Sequence, residues 1–223
     1  MITINKTKSH KVKQRVTVTN DGVSRSLFHS FSYSLPQVVV ICLMTPASIL
    51  QAIYAKYYGF SLTTIASVVL LARIFDVVTD PVIGIYSDRY QRHTGTRKPF
   101  VVAGTLLLIM SSYFLYVPYG VDISDVMAGR HLDGPAFSTT YFVSFFLLFY
   151  LAFTLFNIPH FAWGSDLART AVDKSRVYSF RSGAGYLGLI LFYSIPMLPI
   201  FESREITPET LRVAVIVAGF LML

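Results

Sequence analysis

Apolar residues gather along the chain in long unbroken runs separated by short polar stretches. A hydrocarbon core ~30 Å thick needs about 20 mostly apolar residues per helix. The runs predict membrane helices over residues 33–57, 62–87, 99–118, 139–163 and 182–201, with a sixth beginning at Leu211. That last run reaches Leu223 after 13 residues, or ~20 Å of helix, and is expected to be an incomplete span. The pattern reads as an all-α polytopic membrane protein: a basic tail over 1–30, then one transmembrane unit over 31–223.

Composition agrees with the pattern. Of 223 residues, 53% are hydrophobic and 14% charged, outside the range of an ordinary soluble domain. The tail carries Lys6, Lys8, Lys11, Lys13, Arg15 and Arg25. The run behind it is too long and too far from the start for a cleaved signal peptide, so a flexible tail before an uncleaved first helix is expected. Basic charge beside a membrane helix points to the bilayer surface and not to nucleic acid. The single cysteine, Cys42, excludes a disulfide framework and a thiolate metal site.

Lys and Arg crowd the tail, the segment Asp88–Lys98 and the segment Arg169–Arg181. The alternate loops carry Asp122, Asp125, Asp133, Glu202, Glu205 and Glu209. By the positive-inside rule the N-terminus is cytoplasmic, and a multi-pass place in the cell (inner or plasma) membrane is expected. The net charge of +7 then belongs to the cytoplasmic face.

The second run holds three charges, in "ARIFDVVTDPVIG". Arg73, Asp76 and Asp80 are spaced i, i+3, i+7, which places them within ~60° on one helical face. Each charge at the midplane costs about 2.5–3.5 kcal/mol on insertion scales, so the stripe must face protein or a wet cavity. An Arg73–Asp76 ion pair accounts for two charges and leaves a surplus of −1, which one Na⁺, Li⁺ or H⁺ neutralises. Pro81 lacks an N–H and leaves the Val77 carbonyl without its helical donor. Together with Thr79 it offers neutral oxygen, the ligand type that suits a hard cation.

The fourth run, "FYLAFTLFNIPHFAWG", repeats the spacing in neutral form with Thr154, Asn157 and Phe161, and Pro159 frees the Leu155 carbonyl. Thr154 is the candidate to complete the cation site. Asn157, with Phe161 or Trp163, is the candidate to meet a substrate, against the simpler reading that these polar groups bond helix to helix. His160 fits packing better than proton relay.

Two stretches, "ARIFDVVTDPVIGIYSDRYQRHTGTRKPF" and "NIPHFAWGSDLARTAVDKSRVYSFRSGAGYLG", carry a likeness that spans about residues 30–223. They resemble the melibiose-carrier family, the glycoside–pentoside–hexuronide:cation symporters of the major facilitator superfamily. The resemblance implies the N-terminal six-helix half of a two-half transporter, with the sixth helix truncated and the C-terminal half missing. It implies cation ligands at Asp76 and Asp80 (Na⁺, if not H⁺), helped by Thr79 and Thr154, with Arg73 beside the site. Gly84, Asp88, Arg89, Arg97 and Lys98 look like the superfamily's gating loop. Asp166, Asp173, Arg176 and Arg181 look similar to the family's gating and substrate-proximal charges, Arg181 being nearest the cavity. Sugar-carrying members have an acid on helix 1 and another on helix 4; here helix 1 has none and helix 4 offers Asn157. That departure opens the substrate range toward amphiphiles such as lysolipids, for which Val38 to Leu43 would be a lining.

The function implied is a cation-coupled symporter of a sugar, glycoside or related small organic solute. No cofactor is expected beyond the coupling Na⁺ or H⁺. An intramembrane enzyme is disfavoured, because paired acids that do acid–base work usually face each other from different helices. A non-transporting truncated membrane protein is the remaining alternative.

Overall fold

The computed structural model describes residues 20–118, 122–128, 138–168, 170–201 and 203–222. Lys6, Lys8, Lys11, Lys13, Arg15, Asp133, Arg169 and Glu202 lie outside the described residues, as does the side chain of Arg25. Every regular element among the described residues is helical.

The first span is two helices, α1 (Asn20–Met44) and α2 (Ala47–Tyr57), where one helix over 33–57 was expected. Two local causes break it. Pro46 has no N–H to donate, and the Thr45 hydroxyl donates back to the Ile41 carbonyl at 2.7 Å. Helix α1 also starts well inside the stretch expected to be a flexible tail.

Helix α3 (Leu62–Thr94) starts on Ser61, whose side chain accepts from the Thr64 N–H, and stops at Gly95, which takes φ +74°. Only glycine adopts that left-handed state without penalty. The helix runs past the expected end at residue 87. Hydropathy marks where the bilayer ends, whereas the helix continues through Asp88, Arg89 and Arg92 into water. At 33 residues it is ~50 Å long.

Helix α4 is Lys98–Tyr116, followed by α5 (Ile123–Met127), a short helix capped by Asp122 that the hydrophobic pattern did not signal. Helix α6 spans Thr139–Leu167. Helix α7 is Ala171–Ser194, which corrects the expected 182–201 at both ends. A capping box between Thr170 and Asp173 starts it early. Pro196, in a 3-10 turn over Ile195–Met197, ends it. Helix α8 is Pro208–Met222, opened by reciprocal bonds between Thr207 and Thr210.

Among the described residues, four units are long and apolar enough to cross a membrane: Leu27–Tyr57, Leu62–Thr94, Lys98–Tyr116 and Thr139–Leu167. In packing, α6 lies between α4 and α3, α1 lies against α7, and α8 contacts α1 and α4. Two glycines set the closest approaches. A Cβ on Gly104 would lie 2.4 Å from the Phe156 nitrogen, and one on Gly188 would lie 2.3 Å from the Val38 carbonyl oxygen. Small residues at crossings of this kind are how apolar helices gain packing in lipid. The core they close holds Leu43, Leu50, Leu108, Leu115 and an α6 ladder of Phe142, Phe146, Phe149 and Phe156. Tyr54 and Tyr116 bond the Leu115 and Leu43 carbonyls across it.

Candidate cation and solute site

Helices α3 and α6 border an open cavity of about 230 Å³, lined by Arg73, Asp76 and Asp80 from one side and Tyr150, Thr154 and Asn157 from the other, with Arg73 and Asp80 exposed and Asp76 half-buried. Helix α1 contributes Met44. The two i, i+3, i+7 stripes read from the sequence therefore meet face to face over most of their length.

Arg73 donates to Asp76 Oδ2 at 3.3 Å and to the Tyr150 hydroxyl at 3.3 Å. Its guanidinium also lies 4.8 Å from the Tyr150 ring centroid. The Thr154 hydroxyl donates to Asp80 Oδ1 at 3.0 Å. Asp76 Oδ1 is buried and has no hydrogen-bond partner. A buried acceptor left bare costs about 1–3 kcal/mol, and more when the group is charged. The cavity thus presents carboxylate oxygen from two adjacent turns, a hydroxyl and an amide, all hard donors. Among the described residues no group of three His, Cys, Asp or Glu is arranged to hold a metal ion, so a cation here would rely on two carboxylates and neutral oxygens.

Thr79 does not join this set. Its hydroxyl donates to the Phe75 carbonyl at 3.1 Å, and it is absent from the cavity wall. Trp163 also points elsewhere, edge-on to Tyr33 at 5.8 Å between ring centroids. Phe161 lies outside the cavity, half exposed and stacked on Tyr178 at 4.7 Å. Tyr150 is a cavity residue the polar stripe did not reveal, because it precedes Thr154 by one turn inside a run of aromatics that reads as core.

A second polar group adjoins the first through Asn157. Arg181 of α7 donates to Asn157 Oδ1 at 2.6 Å and to His160 Nδ1 at 3.4 Å. His160 is fully buried, and its Nε2 faces the Tyr33 carbonyl at 2.9 Å. The Nε2–H tautomer satisfies both contacts at once. The Tyr33 hydroxyl returns a bond to the His160 carbonyl at 2.7 Å, and the two rings stack at 4.3 Å. His160 is thus a packing and orienting residue.

At the basic end Arg97 is 7% exposed. It donates to Asp166 Oδ2 at 2.9 Å, to Ser87 Oγ at 3.1 Å and to Asp88 Oδ1 at 2.5 Å. One side chain so ties α3, the α3–α4 turn and the end of α6. Burial works against its charge, but the bonds it donates to Asp166 and Asp88 outweigh it and hold the guanidinium above its ordinary value. Gly84 faces Ile158 of α6, where a Cβ would make only an ordinary 3.8 Å contact, while Arg89 and Lys98 are exposed. Asp173 and Arg176 pair locally at 3.7 Å within the first turns of α7.

Residues 32–223 match the MFS/sugar transport protein family. The chain belongs to that family. Among its relatives, an uncharacterized symporter of Synechocystis sp. is 29% identical over 62% of the chain and 27% of its own length. The putative glycoside/cation symporter YagG of Escherichia coli is 24% identical over 70% of the chain and 32% of its own length. Sucrose transport protein SUT5 of Oryza sativa is 30% identical over 35% of the chain and 14% of its own length. The chain spans about a third or less of the length of these relatives. No solved structure gives a significant match. As a member of the MFS/sugar transport family, this is a multi-pass membrane protein of transporter lineage.

Proposed function

We propose that this chain is the N-terminal half of a cation-coupled symporter for a sugar, glycoside or related small organic solute, completed by a C-terminal half. The coupling ion, Na⁺ or H⁺, is held by Asp76 and Asp80 with Thr154. The solute is met at Asn157 and Arg181, beside Phe161. The observation that carries the reading is the buried, unpartnered Oδ1 of Asp76, a residue that lines a cavity together with Asp80. The ion pair with Arg73 uses Oδ2 alone, so Oδ1 remains for a cation.

In this reading an empty Asp76/Asp80 pair leaves excess negative charge that opposes closure, and a bound cation removes it. The basic loops support a cytoplasmic N-terminus, and a place in the cell membrane is part of the same proposal. An acid–base enzyme fits poorly, since both acids sit on one helix beside Arg73. Among the named relatives are a glycoside/cation symporter and a sucrose transport protein, which supports a sugar-like cargo. An amphiphile is the second reading. It is favoured by an apolar groove of about 520 Å³ between α1 and α7, walled by Phe31, Leu35, Val38, Phe180 and Leu187.

The test is uptake by the full-length transporter in vesicles across sugars, sulfonated sugars and lysolipids, with and without a Na⁺ or H⁺ gradient. Gradient-driven accumulation of one class is expected. Binding that ignores Na⁺, Li⁺ and pH alike would refute coupling.

A further inference from the structure

Helix α3 has two long faces. Arg73, Asp76 and Asp80 stand on the one that meets α6. Leu71, Ile74, Val78, Val82 and Ile85 fall within ~80° of one another on the opposite face, and all five are exposed. With 17% of its apolar stretch buried, α3 is the least covered of the four spans, the others being 39–50% buried. Steps of four and seven residues from Ile85 continue the outer stripe to Arg89 and Arg92, which are exposed as well. The stripe therefore changes from apolar to basic about one helical turn, ~6 Å, beyond Ile85.

Tyr86 is exposed beside the change, and the amphipathic ring of a tyrosine favours the headgroup level of a bilayer. Tyr90 lies edge-on to Phe100 at 5.5 Å, which sets the start of α4, with exposed Lys98, beside the last turns of α3. The acids of this end are already engaged: Asp88 and Asp166 by Arg97, and Asp173 by Arg176. Among the described residues no carboxylate lies within 4 Å of Arg89, Arg92 or Lys98. Exposed cations without a counter-ion thus end a face of exposed apolar side chains.

We propose that this end of α3 binds the phosphate of an anionic phospholipid in the leaflet on the basic side, with the acyl chains lying along Ile85, Val82 and Val78. The forked N–H donors of Arg89 and Arg92 match phosphate oxygens, and Lys98 adds a point charge. The lipid is a bound partner and not cargo, because the stripe points away from the Asp76/Asp80 cavity. For the same reason a C-terminal half that closes over the cavity leaves this face to lipid. Bound there, the lipid holds the end of α3 from outside while Arg97 holds it from inside. The inference needs only the membrane placement of α3 and not the symport reading.

The experiment is native mass spectrometry of the purified full-length transporter with phosphatidylglycerol or phosphatidylcholine of matched chains. A preference for phosphatidylglycerol of about tenfold or more is expected, since each basic group near an anionic surface contributes about fivefold. Arg89→Gln/Arg92→Gln should remove most of it, and Arg89→Lys/Arg92→Lys should keep part, which separates lost charge from lost fold. Lys56→Gln/Lys174→Gln deletes as much charge elsewhere and should leave the preference in place. Inorganic phosphate should not displace the lipid, because the chains are held along the helix. A bimane on Val82→Cys should be quenched by doxyl groups carried in the acyl chains of phosphatidylglycerol. The proposal is overturned if the two lipids bind equally, if the preference survives Arg89→Gln/Arg92→Gln, if Lys56→Gln/Lys174→Gln loses it as fully, or if inorganic phosphate strips the lipid. Absence of quenching at Val82→Cys, as under a covering protein segment, would overturn it as well.

Discussion

Asp80 is held by one neutral donor, the Thr154 hydroxyl, while Asp76 shares Arg73, so the two carboxylates divide their roles. Asp80→Asn should leave the protein folded and remove the dependence of uptake on Na⁺ or H⁺; ion stimulation equal to wild type would contradict the site. Thr154→Val keeps the shape of the side chain and deletes the hydroxyl. A single hydrogen bond of this kind is worth ~1 kcal/mol, more to a charged acceptor. Apparent ion affinity, measured from the Na⁺ dependence of uptake, should fall by about fivefold to tenfold. The charged members of this site were legible in the sequence, because three charges in an apolar run must be sheltered. Tyr150 was not legible, since an aromatic in a phenylalanine-rich helix announces packing whether or not its hydroxyl is used. Thr79 misled for the complementary reason: a threonine in a helix can bond its own backbone, and this one does.

Between elements, the decisive contacts are backbone approaches at glycine. A Cβ on Gly188 would strike the Val38 carbonyl, which cannot retreat as a flexible side chain could. Gly188→Val should push α1 from α7 and sharply reduce the yield of monodisperse protein in detergent, whereas Gly183→Ala, where a Cβ meets nothing within 4 Å, should leave it unchanged. A comparable yield of the two variants would refute the close packing. Helix existence followed directly from apolar run length, as for α4 and α6. Helix ends did not, because they are set by caps and prolines. The Thr170–Asp173 box and Pro196 moved α7 away from its apolar stretch.

Across the whole molecule, the basic end is latched and the acidic end is loosely joined. Arg97 gathers two carboxylates and a hydroxyl from three segments, while the opposite end has an exposed Lys56–Glu205 pair at 3.5 Å, the kind that contributes little. The latch should therefore control which side of the transporter opens. Arg97→Gln is expected to shift the balance toward opening at the basic end by ~1–2 kcal/mol, about fivefold to thirtyfold in population. The values are moderated because Asp88 and Asp166 are half exposed. Labelling of a cysteine placed at Asn157 by a membrane-impermeant reagent from the basic side would report it. The native Cys42 is buried and adds little background. An unchanged labelling rate would remove Arg97 from gating.

The sequence by itself determined that the chain is helical and membrane-embedded, and that charges lie where lipid forbids them. Those properties follow from local composition and from the cost of an unsheltered charge. Only the tertiary structure decided which groups shelter them. Asp76 and Thr154 are 78 residues apart in sequence yet line one cavity, and Asn157 serves two polar groups at once. Such pairings depend on the crossing of α3, α6 and α7, which no periodicity within a single helix encodes.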